Sequence, residues 1–315
     1  MKLHLNPPYF RAVLLGAERA TGKPRGILEK DYYITLLLKE LSDRGDSSYA
    51  YFKGGTALYK ALKSIRRFSE DVDLTVQVAD CATPSQRQRR LEKAVLKFKC
   101  LEKQEVLENK RSTITCLYKY NSVFKDLTDP MERFGNVKVE GTSFTVSKPS
   151  KMLQIAPHLY ELADEEGKRI LEEEHDVRPF LVPTITLERI FIDKVFALEY
   201  YFARSKFQDV SKHAYDLTIL LETEDIQRFL KDENWVKEVI SCEREEQEIR
   251  YGGIPSSLRI QNFSVFDDFA LSPENERCFE NMQGFYVYDQ RDRMKLEIAL
   301  IALNRIREAL AEIEA

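Results

Sequence analysis

The chain has 315 residues, 43% of them hydrophobic and 32% charged, with 48 Lys and Arg against 52 Asp and Glu for a formal net charge of −4. That balance argues against a disordered or fibrous chain, and the length admits two domains. The acidic total rules out a globally basic nucleic-acid binder and leaves any basic surface to be local.

The first stretch, MKLHLNPPYFRAVLL, lacks the charged segment, long apolar core and small-residue cleavage site of a leader. No apolar run approaches the roughly 18 residues of a membrane helix. The five cysteines are far apart with no CxxC pair, which points to reduced thiols in a cytoplasmic protein rather than to zinc or disulfides. LEKDYYITLLLKEL (28–41) keeps a helical period through Leu28, Tyr32, Leu36, Leu38 and Leu41 and predicts an amphipathic helix. SSYAYFKGG (47–55) predicts a short strand ending at paired glycines. TALYKALKSI (56–65) predicts a helix with Thr56 as its cap, and DVDLTVQV (71–78) alternates like a strand. PSQRQRRLEKAVLKFKCLEKQ (84–104) reads as a helix with Leu91, Val95 and Phe98 inward. STITCLYKY and NVKVEGTSFTV read as neighbouring strands, and the acidic stretch 161–176 as an exposed helix and connection.

Beyond about residue 184 strand signals fade. TLERIFIDKVFALEYYFARS, SKHAYDLTILLE, EDIQRFLKDENWVKEVISCEREEQ and RDRMKLEIALIALNRIREALAEIEA predict helices. The expectation is an α+β chain: a mixed-sheet domain with N-terminal helices over 1–180 and a helical domain over 181–315.

The stretch YFKGGTALYKALKSIRRFSEDVDLTV (51–76) concentrates the chemistry. Gly54 and Gly55 lack Cβ atoms, so backbone N–H groups there can approach a ligand closely, and the helix that follows favours an anion at its start. A tight turn is the plainer reading of two glycines. Asp71 and Asp73 are placed two apart on a strand, on one face, with Val72 and Leu74 on the other. Paired carboxylates suit Mg²⁺ together with substrate phosphates; a solvent-facing edge strand is the alternative. In NVKVE, Lys138 and Glu140 share the face opposite Val137 and Val139, which makes Glu140 a candidate third carboxylate. Together these features suit a nucleoside triphosphate and its metal ions.

At these residues the sequence resembles the AbiEii nucleotidyltransferase toxin family, the toxin half of type IV toxin–antitoxin and phage-abortive systems, to which the MenT toxins are related. FKGGTALYKAL…RRFSEDVDLTV, LEKDYYITLLLKEL, NVKVEGTSF, LERIFIDKVFAL and SKHAYDLTIL carry the resemblance in the family's order. It implies a nucleotidyltransferase-fold core followed by helices that complete the active site. The activity implied is transfer of nucleotides from an NTP, with Mg²⁺ or Mn²⁺, to an RNA acceptor such as a tRNA 3′ end. It also implies a cognate antitoxin from a neighbouring gene and no membrane partner. Carried over by motif, Lys53, Gly54, Gly55, Thr56, Arg67 and Ser69 hold the nucleotide. Asp71, Asp73 and Glu140 bind metal, and Lys194 and Asp216 join Asp71 and Asp73 as catalytic residues. Lys212 stands where the family often has Arg, and Asp193 where it often has Glu.

By their own physics these helical residues have plainer readings too. Lys194 can lay its stem along an apolar seam, Lys212 and Asp216 can form a surface pair, and His213 is structural. Nine basic against four acidic residues from Arg87 to Arg111 offer an RNA-binding face through Arg87, Arg90, Lys93 and Lys97, or a solvated one. The rival functions are a small-molecule transferase of the antibiotic-modifying type and a nucleotide-binding module without catalysis.

Overall fold

The computed structural model describes residues 1–45, 49–127, 129, 131–269 and 273–314; Ser47 and Ser48 of the first expected strand lie outside them. The chain divides into two compact units, Met1–Ala61 with Glu70–Thr184, and Leu62–Ser69 with Ile185–Ala315. Among the described residues no helix is long and apolar enough to cross a membrane.

The first unit carries α1 (Pro7–Thr21), α2 (Arg25–Asp43), β1 (Ala50–Lys53), α3 (Gly54–Lys60), β2 (Val72–Val76) and α4 (Pro84–Leu96). There follow β3 (Glu102–Asn109), β4 (Thr113–Lys119), β5 (Asn136–Thr142), β6 (Ser150–Ile155), α5 (His158–Glu161), α6 (Glu165–His175) and β7 (Phe180–Ile185). The described strands form one mixed sheet in the order β3-β4-β5-β2-β1-β7-β6. β2 runs antiparallel to β1 and parallel to β5, and β1 runs parallel to β7. Val72, Leu74, Val137 and Val139 are fully buried, as strict alternation requires. α4 covers that apolar face at Gly141, where an added Cβ would overlap Val95 and come 3.2 Å from Leu91 Cδ1.

α2 is not amphipathic. Every residue from Gly26 to Leu38 is buried, Glu29, Lys30 and Asp31 included. Each of these groups has hydrogen-bond partners inside the unit, which is what makes its burial tolerable. Glu29 accepts from Ser122 Oγ and the Val123 N–H, both at 2.7 Å. The Lys30 ammonium donates to Glu70 at 2.8 Å and to the Arg133 carbonyl at 2.6 Å. Asp31 accepts from Lys60 Nζ at 2.6 Å and from the His158 N–H at 2.6 Å, tying α2 to α3 and α5. Asp31→Ala leaves the Lys60 ammonium buried without its counter-charge. It is expected to cost about 3–5 kcal/mol, read as a large drop in denaturation midpoint; a midpoint near wild type would show that the pair is not a lock.

α3 is shorter than expected, ending at Lys60, and Thr56 is not its cap. The N-cap is Lys53, in extended conformation with no side-chain cap, and Thr56 is buried inside the helix.

The second unit is built from α7 (Leu187–Phe202), α8 (Phe207–Leu221), α9 (Glu224–Leu230), α10 (Glu233–Ile249), α11 (Val265–Asp268), α12 (Pro273–Tyr286) and α13 (Leu296–Glu314). The segment expected as one helix from Glu224 is two, because the Asp232 carboxylate accepts from the Trp235 N–H at 3.1 Å and starts α10 afresh. Leu62–Ser69, which the sequence division places in the first domain, packs here. The Phe68 N–H donates to the Tyr286 carbonyl at 2.9 Å, and Arg66 meets Asp292 at 3.4 Å.

Candidate active site

Strand register builds a row of charged side chains on the sheet face that α4 leaves uncovered. Lys53 of β1 lies opposite Asp73 of β2, Asp73 beside Glu140 of β5, and Glu140 opposite Thr115 of β4. Directly opposed residues share a face at the strand spacing of about 4.8 Å. Asp71 precedes β2 by one residue, and its carboxylate receives the Lys138 ammonium at 2.8 Å. Gly54 turns the chain over this row with φ +75°. A Cβ there would overlap the Asp73 carboxylate oxygen and sit 3.0 Å from the carboxyl carbon, so both the conformation and the space demand glycine. Gly55 and the buried Thr56 continue into α3.

The row carries an excess of negative charge. Burial first, then Glu140 and Asp71, push the Asp73 carboxyl up to about 7, against the pull of Lys138 and Lys53. Burial works against the Lys138 ammonium, yet Asp71 beside it, with Asp73 and Glu140, holds it protonated well past the usual lysine range. A buried carboxyl crowded by two other carboxylates has the electrostatics of an ion site. The donors are all carboxylate oxygens, which suit Mg²⁺ or Mn²⁺ over softer metals. Asp71, Asp73 and Glu140 would hold the ion. Lys138, on the same face of β5 as Glu140, joins the site through Asp71, a role the strand pattern alone does not assign.

The second unit has its own charged centre. Asp216, fully buried, accepts from Arg67 Nε and Nη2, both at 2.7 Å, and from Lys194 Nζ at 2.7 Å. Burial would raise the Asp216 carboxyl, but Arg67 and Lys194 override it and bring it down to about 2. Lys194 also lies 3.5 Å from His213 Nδ1, and His213 stacks on Tyr201 at 5.4 Å. Burial and then Lys194 hold the His213 imidazole well below its usual range, so it is neutral at physiological pH and does not serve as a cationic acid. The surface pair considered for Lys212 and Asp216 does not form; Lys212 lies 3.7 Å from Asp209. Ser69 is half-buried at the end of the Leu62–Ser69 segment.

A further acidic group in this unit joins Asp193 to two carboxylates that the sequence does not single out. Asp193, Glu243 and Glu246 bring ligand oxygens within 4.8 Å of one another. The buried Arg189 guanidinium already occupies their centre, 2.5 Å from Glu243 and 2.7 Å from Glu246 and paired with Asp193. A cation's place there is filled by the protein itself.

A family profile described as nucleotidyl transferase AbiEii toxin, type IV TA system, matches residues 36–312. The chain belongs to the AbiEii nucleotidyltransferase toxin family. The match spans the glycine turn, the carboxylate row and the Arg67–Lys194–Asp216 centre. Among solved structures the chain is similar to MenT4, a nucleotidyltransferase toxin from Mycobacterium tuberculosis H37Rv, at 16% identity and a TM-score of 0.47, covering 96% of this chain and 89% of that one. No curated protein matches the chain significantly. As an AbiEii member the protein is a nucleotidyltransferase and the toxin of a toxin–antitoxin system, with a nucleotide substrate and an antitoxin partner.

Proposed function

We propose that this AbiEii toxin is a divalent-metal-dependent enzyme that transfers nucleotides from an NTP to RNA, the tRNA 3′ end, in the cytoplasm. The observation that carries the reading is the Asp73–Glu140 row beneath Gly54, with Asp73 pushed up to about 7. In the reaction an acceptor hydroxyl oxygen bonds to the α-phosphorus, the bond to the β-phosphate oxygen breaks, and pyrophosphate leaves. The hydroxyl proton passes to solvent. The open turn at Gly54 and Gly55 brings main-chain N–H groups close to the phosphates, and Lys53, beside Asp73, neutralises the leaving charge. Asp71, Asp73 and Glu140 would hold the metal, which would supply positive charge to acidify the attacking hydroxyl and shield the phosphate oxygens. Lys138 braces Asp71. The buried Arg67–Asp216–Lys194 centre fixes Leu62–Ser69, the segment that leads into Asp71, so these are positioning residues in this reading.

The test supplies the purified protein with Mg²⁺, total bacterial RNA and each labelled NTP in turn. Label is expected on a tRNA-sized fraction and is expected to vanish when the RNA has first been treated with periodate, which destroys the terminal ribose diol. Label confined to small molecules would favour the antibiotic-type transferase; label on periodate-treated RNA would place the acceptor elsewhere than the 3′ end. The basic face of α4 offers a second handle. Arg87, Arg89 and Lys93 are exposed, whereas Arg90 is engaged with Asp80 at 2.5 Å. Reversal of the three exposed residues to Glu is expected to weaken RNA labelling and its salt dependence without altering NTP binding. Unchanged labelling would remove α4 from the RNA path.

A further inference from the structure

The charged row does not stop at Glu140. Glu140 lies opposite Thr115, and Thr115 opposite Glu108 of the edge strand β3, so one line of side chains runs from Lys53 through Asp73 and Glu140 to Glu108. Beyond Glu140 that face opens into a groove of about 600 Å³ lined by Leu107, Glu108, Asn109, Lys110, Thr115 and Lys138. The register slips between Val106 and Glu108, and the extra residue, Leu107, is 50% exposed. Lys110 Nζ meets Glu108 Oε1 at 2.5 Å on the same wall. The groove, shallow and open to solvent, thus combines an apolar side chain, two ammonium groups and a carboxylate.

Stereochemistry says which substrate enters it. Displacement at phosphorus is in line, with the attacking oxygen opposite the leaving one. With the pyrophosphate toward Gly54 and Lys53, at one end of the row, the attacking hydroxyl comes from the other end. Strands spaced by about 4.8 Å put Thr115 roughly 10 Å and Glu108 roughly 14 Å from Asp73, the reach of one nucleotide. The geometry points to the Leu107–Lys110 groove as the acceptor subsite, holding the terminal nucleotide of the RNA whose hydroxyl is extended. This rests on the RNA-transfer reading above. The exposed Leu107 side chain lies against the base, as apolar and aromatic groups do in single-strand recognition. Lys110 takes the preceding phosphate, and Glu108 accepts from a ribose hydroxyl or base amino group. Lys138 stays with Asp71.

Leu107→Ala, Lys110→Glu and Lys110→Arg in the full chain test this with NTP and RNA varied separately. All three changes lie on an exposed edge strand and its turn, and a melting curve checks folding. Leu107→Ala and Lys110→Glu are expected to raise the KM for RNA at least tenfold, leave the KM for NTP within twofold, and keep the order of NTP preference. Lys110→Arg is expected to restore most of the RNA affinity. Independently of turnover, anisotropy of a labelled RNA ending in a 3′ hydroxyl is expected to show a salt slope shallower by about 0.7 in Lys110→Glu, the share of one lost phosphate contact on a single strand. A raised KM for NTP or altered NTP preference would assign the groove to the donor nucleoside instead. RNA binding and RNA KM both at wild-type values would remove it from the substrate path while leaving RNA transfer intact. Failure of the wild-type protein to label or bind any RNA would instead sink the RNA reading itself.

Discussion

Asp73→Asn is expected to abolish transfer and, at pH 8, to make the protein harder to unfold. The first effect follows from the metal-binding role proposed for Asp73: losing a charged metal ligand is worth several kcal/mol, or at least a thousandfold in rate. The second follows from the raised carboxyl. A group that binds its proton more tightly folded than unfolded costs nothing below its unfolded pKa near 4. It costs progressively more as pH rises, and its full penalty is present above the folded value of about 7. Three pKa units would be about 4 kcal/mol; for a half-buried side chain sharing its charge with Glu140 and Asp71, on the order of 2 kcal/mol is the realistic gain. Denaturant titration at pH 4 and pH 8 checks the sign, with the variant gaining only at the higher pH. By the same logic, wild-type turnover at limiting metal is expected to rise through pH 7. Residual activity above a tenth of wild type, or equal stability change at both pH values, would defeat the assignment of Asp73.

Asp216→Ala is expected to do the opposite, removing the fold of the helical unit. One carboxylate serves two buried cations there, and without it Arg67 and Lys194 are left facing each other in the interior. Breaking such a group costs about 3–5 kcal/mol, a large fraction of a domain's stability. Lys194→Ala is milder, because the two-pronged Arg67–Asp216 pairing survives. Expression of the wild-type toxin should arrest bacterial growth. A soluble, folded Lys194→Ala chain should not, whereas Asp216→Ala should be lost from the soluble fraction. An Asp216→Ala protein melting within about 1 kcal/mol of wild type would contradict the anchor, and growth arrest by Lys194→Ala would free Lys194 from any role in toxicity. Because the folded Asp216 carboxyl is lowered, its contribution is present above pH 4 and disappears as pH falls through about 2.

The parts of this architecture legible from sequence are those fixed by short-range pattern. β1, the glycine turn, β2 and β5 follow from two-residue alternation and from glycine chemistry, and α7, α8 and α13 from the helical period. What sequence does not disclose depends on register between distant strands or on packing. Lys138 meets Asp71 only because β2 lies parallel to β5, and the need for glycine at position 54 is visible only once Asp73 is placed beneath it. The helix expected over 84–104 ends at Leu96, and its last residues, Glu102–Gln104, belong to β3, because EKQEVLEN at a sheet edge has no buried side chain to impose a strand period. The charges of α2 read as a solvent face because the partners that bury them, Lys60, Glu70 and Ser122, lie 29 to 93 residues away.

The interleaving of the two units has a consequence for how the toxin is made. Arg67 leaves the ribosome 149 residues before Asp216. At 5–20 residues per second that is a delay of about 7–30 s, during which the guanidinium has no carboxylate to receive it and Leu62–Ser69 has no unit to join. Premature termination or proteolysis before Asp216 therefore yields a fragment that holds the carboxylate row but cannot secure the segment leading into it. The segment leading into Asp71 is thus secured only late in synthesis, once Asp216 has been made.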